Sequence, residues 1–345
     1  MYGGTELFIA QVAEGLKKRR ISVVVYTNGE SEIDVERRWL YDKAQWPIQG
    51  EIYDNLKDIN HTSWSIADAA RDCDVIHLNN VPGLAQTRFV DCGFVYTIHH
   101  PHVDGLSEFY QFFPEVHYVT ISDFQRHREK MADVRTIHHG IDLNLYEFRP
   151  RKQQYLSFLG RIAPIKGTHS AIQVAKKSGI PLKIAGEIQP LYRDYWESQI
   201  KPDVDGKFIE YIGEADLSAK NELLGNSLAM LFPIGWDEPF GLVMIEAMAC
   251  GTPVLAFSGG SVPEIVKDGV SGYICKSVDE MAMRVKNLAI SAETIRSYTE
   301  QNFTIDRMVD EYVQLYKEIA GATTARRAGA SDNREKLLEK NRAIA

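Results

Sequence analysis

Two carboxylates, Glu238 and Glu246, stand eight positions apart across a Pro-Phe-Gly loop in the run Asp237-Glu238-Pro239-Phe240-Gly241-Leu242-Val243-Met244-Ile245-Glu246. The loop opens into a helical run, so the first carboxylate sits in the loop and the second two turns into the helix. A helix start leaves backbone N–H groups without intrahelical partners, and these favour an anion such as a diphosphate. A carboxylate within the helix is suited to accepting two ribose hydroxyls bidentately, which leaves Glu238 to face a sugar. A second run, Gly160-Arg161-Ile162-Ala163-Pro164-Ile165-Lys166-Gly167, supplies two cations within one loop. A guanidinium fork and an ammonium both suit a diphosphate. At about 4 Å and an effective dielectric near 20, each such contact has a Coulomb energy of order 4 kcal/mol. The run lacks the spacing of a Walker A loop, and no G-x-G-x-x-G fingerprint supports a nicotinamide cofactor. In Thr97-Ile98-His99-His100-Pro101-His102 an imidazole ends a strand, where it can hydrogen-bond a sugar or phosphate and titrate near neutral pH. No Cys or carboxylate joins these histidines at a zinc-ligand spacing.

Together these runs resemble the retaining glycosyltransferases of the GT-B fold, family 4 (group 1), in which E-x7-E and G-R-x4-K-G recur. Gly251-Thr252-Pro253-Val254, the run Gly259 to Gly269, Thr97-Ile98-His99 and the glycine loop Tyr2-Gly3-Gly4-Thr5-Glu6 continue the pattern. The resemblance implies a sugar moved from a nucleotide-diphosphate donor, a UDP-sugar by family frequency, with retention of configuration. It implies that Arg161 and Lys166 stabilise the departing diphosphate, aided by the amides of Phe240, Gly241 and Leu242. Glu246 would hold the ribose, Glu238 would contact sugar hydroxyls opposite His99, and Gly3 and Gly4 would let backbone approach the donor. No metal and no further cofactor is expected. The acceptor, whether small molecule, glycan or lipid-linked, stays unidentified. A non-catalytic or truncated nucleotide-sugar-binding homologue and a GT-B nucleotide-sugar epimerase are the alternatives; the epimerase would need acid and base groups at the anomeric carbon.

These residues need a scaffold, and strand-like and helical runs alternate through both halves. Ile21–Thr27, Val75–Leu78 and Gly93–Ile98 read as buried strands, as do Tyr155–Gly160, Leu182–Gly186, Phe208–Gly213, Leu228–Phe232 and Pro253–Phe257. The alternation predicts an α/β fold of two Rossmann-like doubly wound domains facing across a cleft. Residues 1–150 form the acceptor-side domain and 151–304 the donor domain, with the boundary in Phe148-Arg149-Pro150-Arg151-Lys152. A helix over about 305–320 is expected to pack back on the first domain, and 321–345 to form a disordered tail. The family carries a strand before its glycine loop, so the first domain appears to lack its first strand and a truncated start is expected. At Arg19-Arg20-Ile21 the usual glycine cap is missing, which predicts a weaker or rearranged helix end.

Composition narrows the class further. The 345 residues exceed one ordinary core, and 44% hydrophobic with 25% charged residues is the balance of a water-soluble globular protein. A net charge of −8 argues against nucleic acid. No apolar run reaches membrane-span length and no signal-peptide pattern is seen, so a cytoplasmic protein with reduced cysteines is expected; membrane contact is not indicated. Lys17 to Arg20 read as cations at a helix C-terminus, Ser122 as a candidate ligand contact, Gly140-Ile141-Asp142 as an interdomain turn and Asp203-Val204-Asp205 as turn chemistry.

Overall fold

The structure, a computed structural model, describes residues 4–44 and 52–342. The chain divides into two compact units, one of residues 1–120, 129–137 and 308–345, the other of residues 121–128 and 138–307.

In the first unit, helix α1 (Gly4–Lys18) buries Phe8, Val12, Ala13 and Leu16 along one stripe. Its end closes without glycine: Arg20 takes a φ of 60°, and Ile21 N–H donates to Leu16 O at 3.1 Å. A left-handed non-glycine residue costs about 1 kcal/mol or more. Arg19 supports the end, donating to Gly15 O at 3.1 Å and pairing with Asp310 at 2.6 Å. Strands β1 (Val24–Thr27) and β2 (Glu36–Trp39) form one parallel pair. A separate parallel sheet holds β3 (Val75–Leu78), β4 (Gly93–Ile98), β5 (Val116–Thr120) and β6 (Val134–Thr136) in sequence order. Every residue of β4 is buried, which is why its sequence is a continuous apolar run rather than an alternating one. Helices α2 (Ile52–Ala69) and α3 (Asp104–Tyr110) complete the connections.

The second unit is one six-stranded parallel sheet of β7 (Leu156–Leu159), β8 (Leu182–Ala185), β9 (Ile209–Tyr211), β10 (Ala229–Phe232), β11 (Val254–Phe257) and β12 (Gly272–Cys275). Its spatial order is β12-β11-β10-β7-β8-β9. The elements connecting or flanking these strands include α4 (Asp123–Arg126), α5 (Thr168–Ser178), α6 (Arg193–Tyr195), α7 (Leu217–Gly225), α8 (Leu242–Ala249), α9 (Val262–Ile265), α10 (Val278–Lys286) and α11 (Ala292–Asn302). The two-residue side-chain period splits the core in two. Met230, Phe232, Val254 and Ala256 pack with Met244, Ile245 and Met248 of α8, while Leu231 and Leu255 pack with Ile172 of α5 and Val285 of α10.

The second unit takes in residues 121–128 and runs on continuously from His138, ahead of residue 150. Ile141 bridges to Thr304, Arg149 pairs with Glu222 at 2.6 Å, and Lys152 Nζ donates to Gly225 O, Cys250 O and Thr252 Oγ1 at 2.9, 3.0 and 2.7 Å. The charged stretch expected from sequence to be the boundary is therefore anchored by its own charges. Helix α12 (Ile305–Arg342) joins the first unit from Met308 onward. A Cβ on Gly15 would stand 2.5 Å from Val309 Cγ2, so a bare backbone there admits the helix. Tyr316 and Tyr312 extend a hydrogen-bonded chain, Tyr316 OH to His77 Nδ1 (2.6 Å), His77 Nε2 to Thr97 Oγ1 (2.7 Å), and Thr97 Oγ1 to Tyr312 OH (2.9 Å). The same helix continues through 321–342, where a disordered tail is expected from sequence. Ala, Arg, Glu, Lys and Leu dominate there, and their helix propensity does not depend on large apolar side chains. Among the described residues, no helix is long and apolar enough to cross a membrane.

Candidate functional site

In the second unit the chain runs from β7 outward to β8 and β9, then returns to the other side of β7 with β10. Strand order reverses between β7 and β10, and a doubly wound sheet opens its ligand crevice beyond the carboxyl ends of such strands. The loop after β7 carries Arg161 and Lys166; the loop after β10 carries Trp236 and Glu238. Gly235 N–H donates to Ile165 O at 2.8 Å, stitching the loops together. Gly167, at φ 75°, has no room for a Cβ against the Pro233 carbonyl, so glycine alone permits that approach.

Lys166 Nζ lies 2.5 Å from Glu238 Oε2, and Trp236 Nε1–H donates to the same oxygen at 2.9 Å. The ammonium also stands 4.6 Å from the centroid of the Trp236 ring. Lys166 and Glu238 side chains are only 15% and 9% exposed, so the pair is weakly screened. Backbone contacts fix Glu238 from behind. Ser261 N–H donates to Glu238 O at 2.9 Å, and Gly260, at φ 59°, leaves no space for a Cβ beside the Glu238 backbone. Trp236 is absent from the sequence-based set of site residues; the signal that reveals it is an indole two residues before the loop carboxylate. Arg161 is exposed, with Nη1 3.4 Å from Gln189 Oε1.

Helix α8 begins after Gly241, a left-handed N-cap residue, and Met244 N–H makes the first backbone bond to Gly241 O at 2.9 Å. The amides of Leu242 and Val243 precede that bond, whereas Phe240 is a core residue whose ring meets His139 at 5.1 Å. Glu246 is buried on the next turns. Its Oε1 accepts from Tyr146 OH (2.9 Å) and Lys220 Nζ (2.9 Å), and its Oε2 from Lys220 Nζ (3.1 Å). Burial, and then Glu246, holds the Tyr146 hydroxyl far above the usual phenol range. Lys220 and Tyr146 are also missing from the sequence-based set; they lie 26 and 100 positions from Glu246, beyond any local spacing rule.

In the first unit, Gly4 opens α1, while Gly3 lies outside the described residues. His99 follows β4, with Nε2 2.9 Å from Asn79 Oδ1 and its ring edge-on to Phe8 at 4.8 Å between centroids. Burial, and secondarily His100, lowers its pKa to about 4. The near-neutral titration expected from sequence is thus corrected: this imidazole is neutral at physiological pH. The neighbouring histidines diverge. His100 meets Tyr110 OH at 2.7 Å, and His102 lies between Glu129 (3.0 Å) and Asp104 (3.3 Å).

The remaining candidates have local structural duties. Ser122 caps α4, accepting from Gln125 N–H at 3.2 Å. Asp142 accepts from Asn144 N–H at 2.9 Å, and Asp205 gathers the amides of Lys207, Phe208 and Ile209 at 2.9, 2.8 and 2.9 Å. Asp203 pairs with Lys176 at 2.6 Å. Among the described residues, Asp123, His138 and Glu264 form a group with ligand atoms within 4.8 Å of one another. Glu264 is occupied there by the amides of Asp123 (2.7 Å) and Phe124 (2.5 Å) and by His138 Nε2 (3.0 Å).

Residues 147–302 match the family described as glycosyl transferases group 1, and residues 2–145 match glycosyltransferase family 4. A D-inositol 3-phosphate glycosyltransferase of Mycobacterium marinum is 27% identical over 231 residues, covering 58% of this chain and 48% of that protein. A glycogen synthase of Mycobacterium tuberculosis is 30% identical over 158 residues, 43% of this chain and 37% of that protein. The chain thus spans about half the length, or less, of these curated relatives. Among solved structures, sucrose-phosphate synthase of Thermosynechococcus elongatus superposes with a TM-score of 0.77 at 18% identity, covering 93% of this chain and 94% of that one. Anabaena HepE in complex with UDP gives 0.73 at 18% identity, covering 92% and 96%. At such identities the superpositions establish the fold.

Proposed function

Because the chain belongs to the group 1, family 4 glycosyltransferases, we propose that it transfers a sugar from a nucleoside-diphosphate donor, a UDP-sugar, to an acceptor with retention of configuration. The observation that carries this reading is the constellation at the strand switch point: one ammonium, one carboxylate and one indole N–H within 3 Å contacts, beside the Arg161 guanidinium loop and the start of α8.

The work of such a site is electrostatic. Arg161 and Lys166 oppose the charge that develops on the departing diphosphate, and the amides at the start of α8 add fixed dipoles. A diphosphate that engages Lys166 draws it from Glu238, which frees Glu238 Oε2 for sugar hydroxyls. Glu238 is thereby a binding group, and the departing phosphate itself can accept the proton of the incoming acceptor hydroxyl on the same face. Retention then needs no covalent carboxylate. His99, neutral in the first unit, serves as a hydrogen-bonding partner and carries no charge. With two cations in place, no metal is needed for the diphosphate.

HepE is described in complex with UDP, with UDP-glucose, and with UDP and glucose, which supports uridine as the first base to test. Calorimetric titration with UDP, GDP and ADP, each with and without EDTA, tests the proposal. Micromolar binding of one diphosphate, unchanged by EDTA and lost in Arg161→Ala, is the expected outcome. A folded protein that binds none of them refutes the donor site and favours a non-catalytic homologue.

A further inference from the structure

Glu246 is the family-pattern residue that, by resemblance, holds the donor ribose, yet its carboxylate is already heavily engaged. Four lone-pair directions are available on a carboxylate. Tyr146 OH and Lys220 Nζ occupy two on Oε1, and Lys220 Nζ one on Oε2. One direction remains, on Oε2, so Glu246 alone does not accept both hydroxyls of a vicinal diol while these contacts stand. Lys220 has the complementary surplus. Its ammonium carries three N–H groups, two of them directed at Glu246, and its side chain is 28% exposed against 4% for Glu246. It reaches Glu246 from α7, a helix distinct from the one that presents the carboxylate.

We propose that Lys220 is the second half of the ribose clamp: one hydroxyl of the donor's 2′,3′-diol donates to Glu246 Oε2, and the oxygen of the other accepts from Lys220 Nζ. This assignment rests on the donor-site reading above. It makes Lys220 a binding residue as well as the counter-ion of Glu246, and it makes Tyr146 a positioning residue that turns the carboxylate so that Oε2 faces outward. The chemistry is selective for a ribonucleotide, because a 2′-deoxy or 3′-deoxy donor leaves one half of the clamp unpaired.

The test is calorimetric titration of the full chain with UDP, 2′-deoxy-UDP and 3′-deoxy-UDP, for the native protein, Lys220→Met, and the charge-neutral double variant Lys220→Met with Glu246→Leu. In the native protein each deoxy analogue is expected to bind roughly 10-fold or more weakly than UDP. In Lys220→Met, UDP should weaken roughly 10- to 100-fold, and one of the two deoxygenations should cease to matter while the other still does. A purely structural role for Lys220 would weaken all three ligands equally and keep both penalties; that result, or an unchanged UDP affinity, overturns the proposal. Should Lys220→Met fail to fold with an unpaired buried carboxylate, the double variant carries no buried charge and must lose both penalties. Retention of either penalty there overturns the clamp. If the native protein binds no UDP, GDP or ADP, it is the donor-site reading that has failed, a result distinct from either.

Discussion

Lys166 Nζ and Glu238 Oε2 lie 2.5 Å apart, joining the loop after β7 to the loop after β10. The cation assigned to the diphosphate and the carboxylate assigned to the sugar are each other's partners. Lys166→Ala should therefore lower kcat by about 100-fold or more, since an electrostatic donor to the leaving group is lost. Trp236 still hydrogen-bonds Glu238, so the accompanying fall in Tm should be a few degrees, the effect of roughly 1 kcal/mol in a chain of this size. Steady-state kinetics beside a thermal melt check this; unchanged turnover in a folded variant removes Lys166 from catalysis.

Trp236 separates two contributions that one substitution resolves. Trp236→Phe retains an aromatic face beneath the Lys166 ammonium and deletes the N–H bond to Glu238. The loss of one hydrogen bond to a charged acceptor, about 1.5–3 kcal/mol, predicts a fall in kcat/KM of roughly 10- to 100-fold. Equal kinetics for the variant and native protein would make the indole a spectator.

Gly241 and Gly179 share a left-handed backbone, with φ of 81° and 74°, but differ in surroundings. A Cβ on Gly241 would stand 2.6 Å from Met244 Cε and 3.2 Å from Glu238 Cγ, whereas one on Gly179 meets nothing within 4 Å. Both Ala variants should lose about 1–2 kcal/mol from the strained φ. Only Gly241→Ala should also lose activity, because its added carbon pushes on the Glu238 carboxylate. Urea denaturation with parallel assays decides, and equal activities would show that Glu238 tolerates the shift.

Stability should depend on pH through two buried histidines. Burial holds His77 at about 3 and His99 at about 4, against an ordinary value near 6.5. Between the folded and unfolded values the unfolded chain binds more protons, so stability rises with pH there. Their contribution is complete above about pH 6.5 and is lost progressively as the pH falls toward 4 and 3. Urea midpoints from pH 4 to 8 should fall on the acid side, with a shallower slope in His77→Gln. An identical slope in that variant would assign the acid sensitivity to other groups.

The residue types and spacings in the sequence determined the fold class, the family and the loops that bear the site. Parallel strands buried on both faces read as apolar runs, and E-x7-E and G-R-x4-K-G are local patterns whose members fall within about two helical turns or a single loop. Four features needed the tertiary structure. Trp236 and Lys166 converge on one Glu238 oxygen only because β7 and β10 are neighbours in space, although 69 residues lie between Leu159, the end of β7, and Ala229, the start of β10. Lys220 and Tyr146 reach Glu246 from segments far away in the chain, so no periodicity announces them. The charge state of His99 is set by the tertiary structure, because a histidine's intrinsic pKa is visible in the sequence and its burial is not. Residues 138–150 belong to the second unit because Arg149 and Lys152, which look like a solvated linker, find partners in Glu222 and in the carbonyls of Gly225 and Cys250. Local sequence fixes what a segment can offer, and long-range packing decides which partner receives it and at what dielectric cost.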